Sequence, residues 1–124
     1  MNQDRRQRRS PDPLIALHYQ LTSARSLGEL DAIVLADATG VVVAGAGSWA
    51  SCEELAAYAP FLEAGELALS HDVSRRVSML RREVEVRRVP LGSTEVLLCA
   101  RGGTGRRASL DRAAVGVSRI LSAA

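Results

Sequence analysis

The stretch LDAIVLADATGVVVAGAG, residues 30–47, decides the fold of this chain. Two apolar runs rich in strand-forming residues, 32–35 and 41–43, flank the sequence DATG. Asp37 can accept a turn hydrogen bond, and Gly40 can take the left-handed conformation that closes a short hairpin loop with a bulge. Because strands joined this closely must run antiparallel, the stretch predicts a β-hairpin.

The end of the same stretch also fits the dinucleotide-binding pattern G-x-G-x-x-A, at Gly45, Gly47 and Ala50. It follows a strand and precedes a helix, and an acid lies about twenty residues further on, at Glu66 or Asp72. The strand before it, however, already belongs to the hairpin, and the chain shows no repeated parallel βαβ units. A dinucleotide-dependent enzyme is therefore the third of three functional hypotheses.

Three helices and three more strands are predicted around the hairpin. Asp12 and Pro13 are typical of a helix start, and Gly28 of its end. Ser51 and Glu54 form a capping-box pattern that predicts a second helix. Strands are predicted at residues 77–80, 84–91 and 95–100, and a final helix begins at a cap provided by Ser109. The resulting order is α-β-β-α-β-β-β-α, an α+β fold with an α/β sandwich arrangement.

Length and composition favour one domain in a reducing compartment. The chain has 124 residues and a net charge of +2, and all sixteen of its basic residues are arginine, as in high-GC bacterial genomes. We predict an Arg-rich flexible arm at residues 1–12 and a single domain at residues 13–124. No segment resembles a secretory signal or a membrane span, so we expect a cytoplasmic protein.

The charges are unevenly distributed along the chain. Residues 29–72 contain eight acidic and no basic residues, whereas residues 73–124 contain eleven arginines and four acids. Such segments can form faces of opposite sign that steer partners, or solvated surfaces without a partner. Two cysteines and two histidines, none at a short ligand spacing, predict no metal site: Cys52, Cys99, His18 and His71. We also predict no cofactor and no catalytic group.

The second helix is apolar around much of its circumference. Leu55 and Leu62 lie along one face, and Tyr58 and Phe61 lie along a neighbouring face. A helix of this kind usually packs on two sides, and one of its two packed faces can contact a partner molecule. Pro60 is expected to kink the helix.

The order of elements and the sequence LDAIVLADATGVVVA together resemble the Roadblock family of dynein-light-chain-like domains. Matching features are the strand that ends at Asp37, the turn that ends at Gly40, the second-helix sequence SCEELAAYAPFL and the Val89-Pro90 pair in VEVRRVPLGSTEVLLCA. The resemblance covers roughly residues 13 to 122. It implies a profilin-like fold: a five-stranded antiparallel sheet between helices.

The resemblance further implies a non-enzymatic regulatory adaptor. Roadblock proteins usually form dimers in which the second helices pack together and the third strands pair into one sheet. Bacterial members act on Ras-like small GTPases, or serve as adaptors between regulators. For this chain the implied partners are a second copy or another Roadblock protein, and a small GTPase; nucleic acid is not expected. The predicted interface residues are Glu53, Glu54, Leu55, Tyr58, Phe61, Leu62, Val77, Met79 and Leu80.

A second hypothesis is a sensor domain of profilin-like or PAS-like architecture that binds a small molecule between sheet and helix. The apolar residues of the second helix are also compatible with a role confined to the monomer core. A partner protein, a bound metabolite or a bound dinucleotide would distinguish the three hypotheses.

Overall fold

A computed structural model describes residues 12–64 and 71–123 of the chain. Its elements in chain order are α1 (Pro13–Gly28), β1 (Ala32–Asp37), β2 (Val42–Ala46), α2 (Trp49–Ala64), α3 (His71–Leu80), β3 (Val84–Leu91), β4 (Thr94–Arg101) and α4 (Arg106–Ala123). Residues 1–11 of the predicted arm lie outside the described residues. Asp12 caps α1 as predicted, because its Oδ1 accepts the Leu14 N–H at 3.0 Å.

The predicted hairpin between β1 and β2 is confirmed. Asp37 Oδ1 accepts hydrogen bonds from the backbone N–H groups of Thr39 and Val41, and from the Thr39 hydroxyl. Gly40 has φ +91°, a conformation that favours glycine. The Gly40 N–H donates to the Asp37 carbonyl at 3.1 Å and the Asp37 N–H donates to the Val41 carbonyl at 3.0 Å, which is the expected bulge at the loop. A second register shift lies between Leu35 and Ala36.

The described strands form a four-stranded antiparallel sheet in the order β2-β1-β4-β3. β1 is central and almost entirely buried, because successive side chains enter two different cores. Ile33 and Leu35 face α1 and α4, whereas Val34 and Ala36 face α2 and α3. We call these the α1/α4 core and the α2/α3 core. The sheet thus has helices on both faces.

The prediction of a strand at residues 77–80 is wrong, because these residues form the end of helix α3. Val77 and Leu80 are buried while Met79 between them is 54% exposed, a pattern of helical rather than alternating period. Val73, which packs against the same core, continues the spacing i, i+4, i+7. The described order is therefore α-β-β-α-α-β-β-α, with four strands where five were expected.

Two helix starts also differ from the sequence prediction. α2 begins at Trp49, and its first turn is capped by Ser48, whose Oγ accepts the Ser51 N–H at 3.2 Å. α4 begins at Arg106, so Ser109 lies inside the helix, where its side chain is 2% exposed. Both predictions selected a serine about one turn too late: the Cys52 N–H already donates to the Ser48 carbonyl, and the Ser109 N–H already donates to the Gly105 carbonyl.

Candidate partner-binding surface

Helix α2 has one buried face and one partly open face. Its buried face packs on the sheet through Cys52, Leu55, Ala56, Ala59 and Leu62. Tyr58 and Phe61 are half-buried and pack against the edge of the α2/α3 core, while Glu53 is exposed. The helix continues through Pro60, and its open face is mostly apolar.

The structure divides the nine predicted interface residues into three groups. Four lie in the α2/α3 core of the single chain and cannot directly contact a partner while they remain there: Leu55, Leu62, Val77 and Leu80. Tyr58 and Phe61 are half-buried, and Glu54 is held in ion pairs. Glu53 and Met79 are exposed. The accessible part of the predicted surface therefore consists of charged and aromatic side chains and one methionine rather than a continuous aliphatic stripe.

Glu54 joins three elements through its carboxylate. Arg76 on α3 donates to both of its oxygens, at 2.7 and 3.1 Å, and Arg101 on β4 donates to Oε1 at 3.3 Å. Arg101 also donates to Glu83 at 2.7 Å. The hydrogen bonds from Arg76 lower the pKa of the Glu54 carboxyl below its usual value, against the opposing effect of burial. The cluster fixes α3 against α2 and the sheet.

The acidic and basic halves of the sequence are partly paired within the chain. Glu54 pairs with Arg76, and Glu63 on α2 pairs with Arg88 on β3, so acids of residues 29–72 meet arginines of residues 73–124. Tertiary structure therefore neutralises some of the charge that is segregated along the sequence.

Strand β3 is an edge of the sheet with outward-facing backbone groups. The Gly102 N–H donates to the Glu83 carbonyl at 3.1 Å, which fixes the alternation of the β3–β4 ladder. By this alternation, the backbone groups of Val84, Val86, Arg88 and Pro90 point away from β4. Pro90 has no N–H, so this edge position costs it no hydrogen bond. No other described residue hydrogen-bonds to these outward backbone groups.

The opposite edge of the sheet is partly covered. There the outward carbonyl of Gly45 on β2 lies 3.3 Å from Nδ1 of His18, which reaches it from α1. Gly45 also allows the close approach of α2, because a Cβ at this position would lie 2.8 Å from Cys52 Sγ. Gly47, at φ +117°, lies against the Asp31 carbonyl. Of the two glycines in the dinucleotide pattern, Gly45 thus serves strand–helix packing and Gly47 serves the close approach of its loop to the start of β1.

Two open clefts flank the β3 edge. One, of about 380 Å³, lies on the α2 side and includes Leu62, Arg81 and Val86 in its lining. The other, of about 460 Å³, lies between β3 and α4 and includes Pro90 and Val115. Both are next to the outward backbone groups of β3, so a strand added there would find room for side chains on each face.

The charged side chains of β3 alternate between the two faces of the sheet. Arg88 pairs with Glu63 and Glu95 on the α2 side, and Arg87 pairs with Asp111 of α4 on the other side. Glu85 is partly exposed and has no ion-pair partner among residues 12–64 and 71–123. Sequence reasoning recognised this strand but did not select it as an interface. The signal available was Pro90, which is tolerated only at an edge, a bulge or a strand end.

The thiols and acids of the described chain are arranged for structure. Burial raises the pKa of the Cys99 thiol to about 12 and also raises that of Cys52, as expected for small buried thiols. Within residues 12–64 and 71–123, no three His, Cys, Asp or Glu side chains are grouped so as to hold a metal ion. Among the described helices, none is long and apolar enough to cross a membrane.

Comparison with known proteins identifies the fold. No protein-family model matches the chain, and no curated protein matches it in sequence. Among solved structures, MglB of Myxococcus xanthus, a Roadblock-type GTPase regulator, matches with a TM-score of 0.55 and 12% identity. The match covers 90% of this chain and 92% of MglB. The chain therefore has a Roadblock-like fold, as its sequence motifs predicted.

Proposed function

We propose that this chain is a regulatory adaptor of the Roadblock type, which forms a dimer and binds a Ras-like small GTPase or a related signalling protein. The likeness of its fold to MglB over nearly its whole length carries the proposal. The open face of α2 supports it, because Tyr58 and Phe61 leave aromatic surface at the rim of the core. Exposed Glu53 at the start of the same helix can steer a basic partner.

The regulator acts through binding rather than through chemistry of its own. The sequence contains no lysine, and therefore no P-loop that could bind and hydrolyse GTP. Any change in GTP hydrolysis comes from ordering the partner's switch loops or orienting the partner's own catalytic residues. The apolar and aromatic part of the α2 face contributes affinity, and Glu53 contributes orientation.

The test combines capture with a measurement of hydrolysis. Tagged full-length protein is incubated with native cell lysate in the presence of GDP or of a non-hydrolysable GTP analogue, and bound proteins are identified by mass spectrometry. We expect a small GTPase whose capture depends on the nucleotide and whose purified form hydrolyses GTP at a changed rate when the chain is added. Capture without any nucleotide-binding protein contradicts the proposed partner.

Surface variants locate the binding site. Glu53→Arg and the double variant Tyr58→Arg/Phe61→Arg should lose the GTPase. Tyr19→Arg is a matched control, because Tyr19 is 72% exposed on α1, on the other side of the sheet. Circular dichroism of each variant separates loss of binding from loss of fold. If the unchanged protein and all three variants retain the GTPase equally, the α2 face is excluded as its binding site.

A further inference from the structure

We infer that the outward side of helices α1 and α4, together with the Arg-rich arm that precedes α1, binds an anionic lipid surface. The inference goes beyond the proposed function, because it concerns the side of the sheet opposite to α2. We call this surface the α1/α4 outer face, and it is formed by Ile15, Tyr19, Arg112, Val115 and Arg119.

Exposed apolar side chains are concentrated on these two helices. Among the described residues, eight large apolar side chains are exposed, and five of them belong to α1 or α4: Leu14, Ile15, Tyr19, Leu27 and Val115. Ile15 and Tyr19 are one helical turn apart, on the side of α1 opposite to buried Leu17. Their exposed fractions are 46% and 72%, and that of Val115 on α4 is 66%. These side chains therefore point away from the α1/α4 core.

The two helices run antiparallel, so α1 begins beside the end of α4. Gly28 at the end of α1 lies against Ser109 near the start of α4. Gly116, farther along α4, lies against Gln20, which comes earlier in α1. The arm precedes Asp12, the N-cap of α1, and therefore joins the molecule at the end where α4 finishes.

Arg112 and Arg119 place positive charge between the apolar side chains of the two helices. They share with Gly116 one stripe of α4, at spacings of four and three residues, and Gly116 faces α1 at Gln20. Both arginines are exposed, and neither has an ion-pair partner among residues 12–64 and 71–123. A long arginine side chain can hold its guanidinium at a lipid phosphate while its stem covers apolar surface.

Carboxylates are scarce on this side of the sheet. Helices α1 and α4 contain five arginines and one acid, and that acid, Asp111, is paired with Arg87. Helix α2 on the other side contains three acids and no base. Glu29 and Asp31 follow α1, and the arm lies at its other end, roughly 24 Å away along a helix of sixteen residues. An anionic surface is therefore attracted to one side of the sheet only.

The arm adds the charge that a few exposed side chains do not supply. Residues 1–10 contain one acid and four arginines, Arg5, Arg6, Arg8 and Arg9. These arginines precede Asp12 by three to seven residues, a length of chain that spans at most about 10–25 Å. Their charges consequently stay near the start of α1. Each arginine held near an anionic lipid surface raises the affinity by about fivefold.

The aliphatic side chains between the arginines favour lipid over nucleic acid. Arginine alone would serve for either, because both present phosphate groups. Ile15 and Val115 gain nothing from a nucleic-acid backbone, whereas at a membrane they enter the boundary between head groups and acyl chains. Tyr19 suits the same boundary, because its ring is apolar and its hydroxyl can remain in water. The chain then lies on the lipid surface with α2 turned away from it and accessible to a protein partner.

Binding to vesicles tests the inference. The full chain is sedimented with vesicles of phosphatidylcholine alone and with vesicles of equal parts phosphatidylcholine and phosphatidylglycerol, and the bound fraction gives a partition coefficient. We expect binding to the anionic vesicles only, and we expect salt to weaken it. Equal binding to both kinds of vesicle, or binding to neither, overturns the inference.

Matched variants separate the apolar from the charged contribution. The apolar double variant Ile15→Gln/Tyr19→Gln keeps the net charge and should bind anionic vesicles at least about tenfold more weakly. Trp49→Gln is its control and should bind normally, because Trp49 is 65% exposed on α2, on the other side of the sheet. Arg119→Gln should weaken binding about fivefold, whereas Arg82→Gln, in the turn between α3 and β3, should leave it nearly unchanged.

Substitution of the arm tests whether the helices take part. The variant Arg5→Gln/Arg6→Gln/Arg8→Gln/Arg9→Gln, made in the full chain, should bind anionic vesicles at least about a hundredfold more weakly. If this variant loses binding while the apolar double variant binds like the unchanged protein, the arm binds alone and the α1/α4 outer face is not a lipid site. Circular dichroism shows that each variant is folded.

Duplex DNA serves as the competing polyanion. We expect the chain to bind anionic vesicles more tightly than duplex DNA, which fluorescence anisotropy measures at the same ionic strength. Tighter binding to DNA that the apolar double variant retains would make nucleic acid the partner and overturn the inference. Capture of a GTPase is measured separately, on the other side of the sheet, and decides the proposed function independently of these results.

Discussion

Asp37 illustrates how a single residue specifies the hairpin. Its carboxylate accepts hydrogen bonds from Thr39 and Val41, and these bonds lower its pKa below the ordinary value of 3.8. A carboxyl whose pKa is lower in the folded than in the unfolded state stabilises the fold above its unfolded pKa. This contribution is lost as the pH falls through the folded pKa.

We therefore predict that Asp37→Asn lowers the free energy of unfolding at neutral pH. The difference from the unchanged protein should begin to diminish as the pH falls below about 3.8, where the carboxyl becomes protonated in the unfolded state, and should be lost once the pH falls through the lower folded pKa. Urea unfolding at pH 7 and at pH 3 measures the effect. Asp12→Asn, a substitution at the N-cap of α1, serves as the comparison, since it does not affect the hairpin. A difference that is constant with pH contradicts the prediction.

Gly45 provides a second test at the residue scale. A Cβ at this position would lie 2.8 Å from Cys52 Sγ, so Gly45→Ala should lower the free energy of unfolding by about 1–3 kcal/mol. Because the clash is with a side chain, adding Cys52→Ala should recover part of the loss. Chemical denaturation of both single variants and the double variant measures the coupling. Strictly additive losses would show that the Cys52 thiol is not what Gly45 accommodates.

At the scale of elements, α3 marks the main difference between the sequence prediction and the structure. A strand at residues 77–80 would place Val77 and Met79 on one face, whereas a helix places Val77 and Leu80 together. The buried pair is Val77 and Leu80. A four-residue apolar stretch does not distinguish the two periods by itself, and the deciding residue, Val73, lies outside it.

Paired substitutions test the helical assignment. Leu80→Ala should lower the free energy of unfolding by about 2–5 kcal/mol, because its side chain is fully buried. Met79→Ala should change it by less than about 0.5 kcal/mol, because Met79 is 54% exposed. Urea titrations provide both values. A larger loss from Met79 than from Leu80 is the result that a strand would give.

The Glu54 cluster should control the local stability of α3. Arg76→Gln removes two of the hydrogen bonds that join α3 to α2, while Glu54 keeps its contact with Arg101. We expect faster amide hydrogen exchange in α3 with unchanged exchange in β1 and β4. Arg112→Gln on α4 is the matched control, since it lies on the other side of the sheet. Uniformly faster exchange would instead indicate a global loss of stability.

At the scale of the whole molecule, both thiols report on the integrity of the α2/α3 core. Cys52 and Cys99 are buried in it, and burial raises both thiol pKa values. We predict that neither reacts with a thiol reagent at pH 8 in the folded protein and that both react once urea unfolds it. Absorbance after addition of the reagent follows the reaction. Rapid labelling without denaturant would show that this core opens readily.

In the folded molecule, more of the opposite charges are joined in ion pairs than their separation along the sequence suggests. Ion pairs such as Glu63 with Arg88 cross from the acidic half of the chain to the basic half. The charged side chains that remain available to a partner are fewer, and the best defined of them are Glu53 on α2 and Glu85 on β3. Sequence order alone could not identify this remainder, because neutralisation depends on which strands and helices become neighbours.

The sequence by itself determined the hairpin, the start of α1, the later strand pair and the likeness to the Roadblock fold. These features depend on contacts between residues close in the chain, such as Asp37 with Val41 and Asp12 with Leu14. Tertiary structure alone decided that residues 77–80 are helical, that Leu55 and Leu80 belong to the core, and that β3 is the open edge. Each of these outcomes depends on burial against distant residues, and the periodicity of a short segment does not encode it.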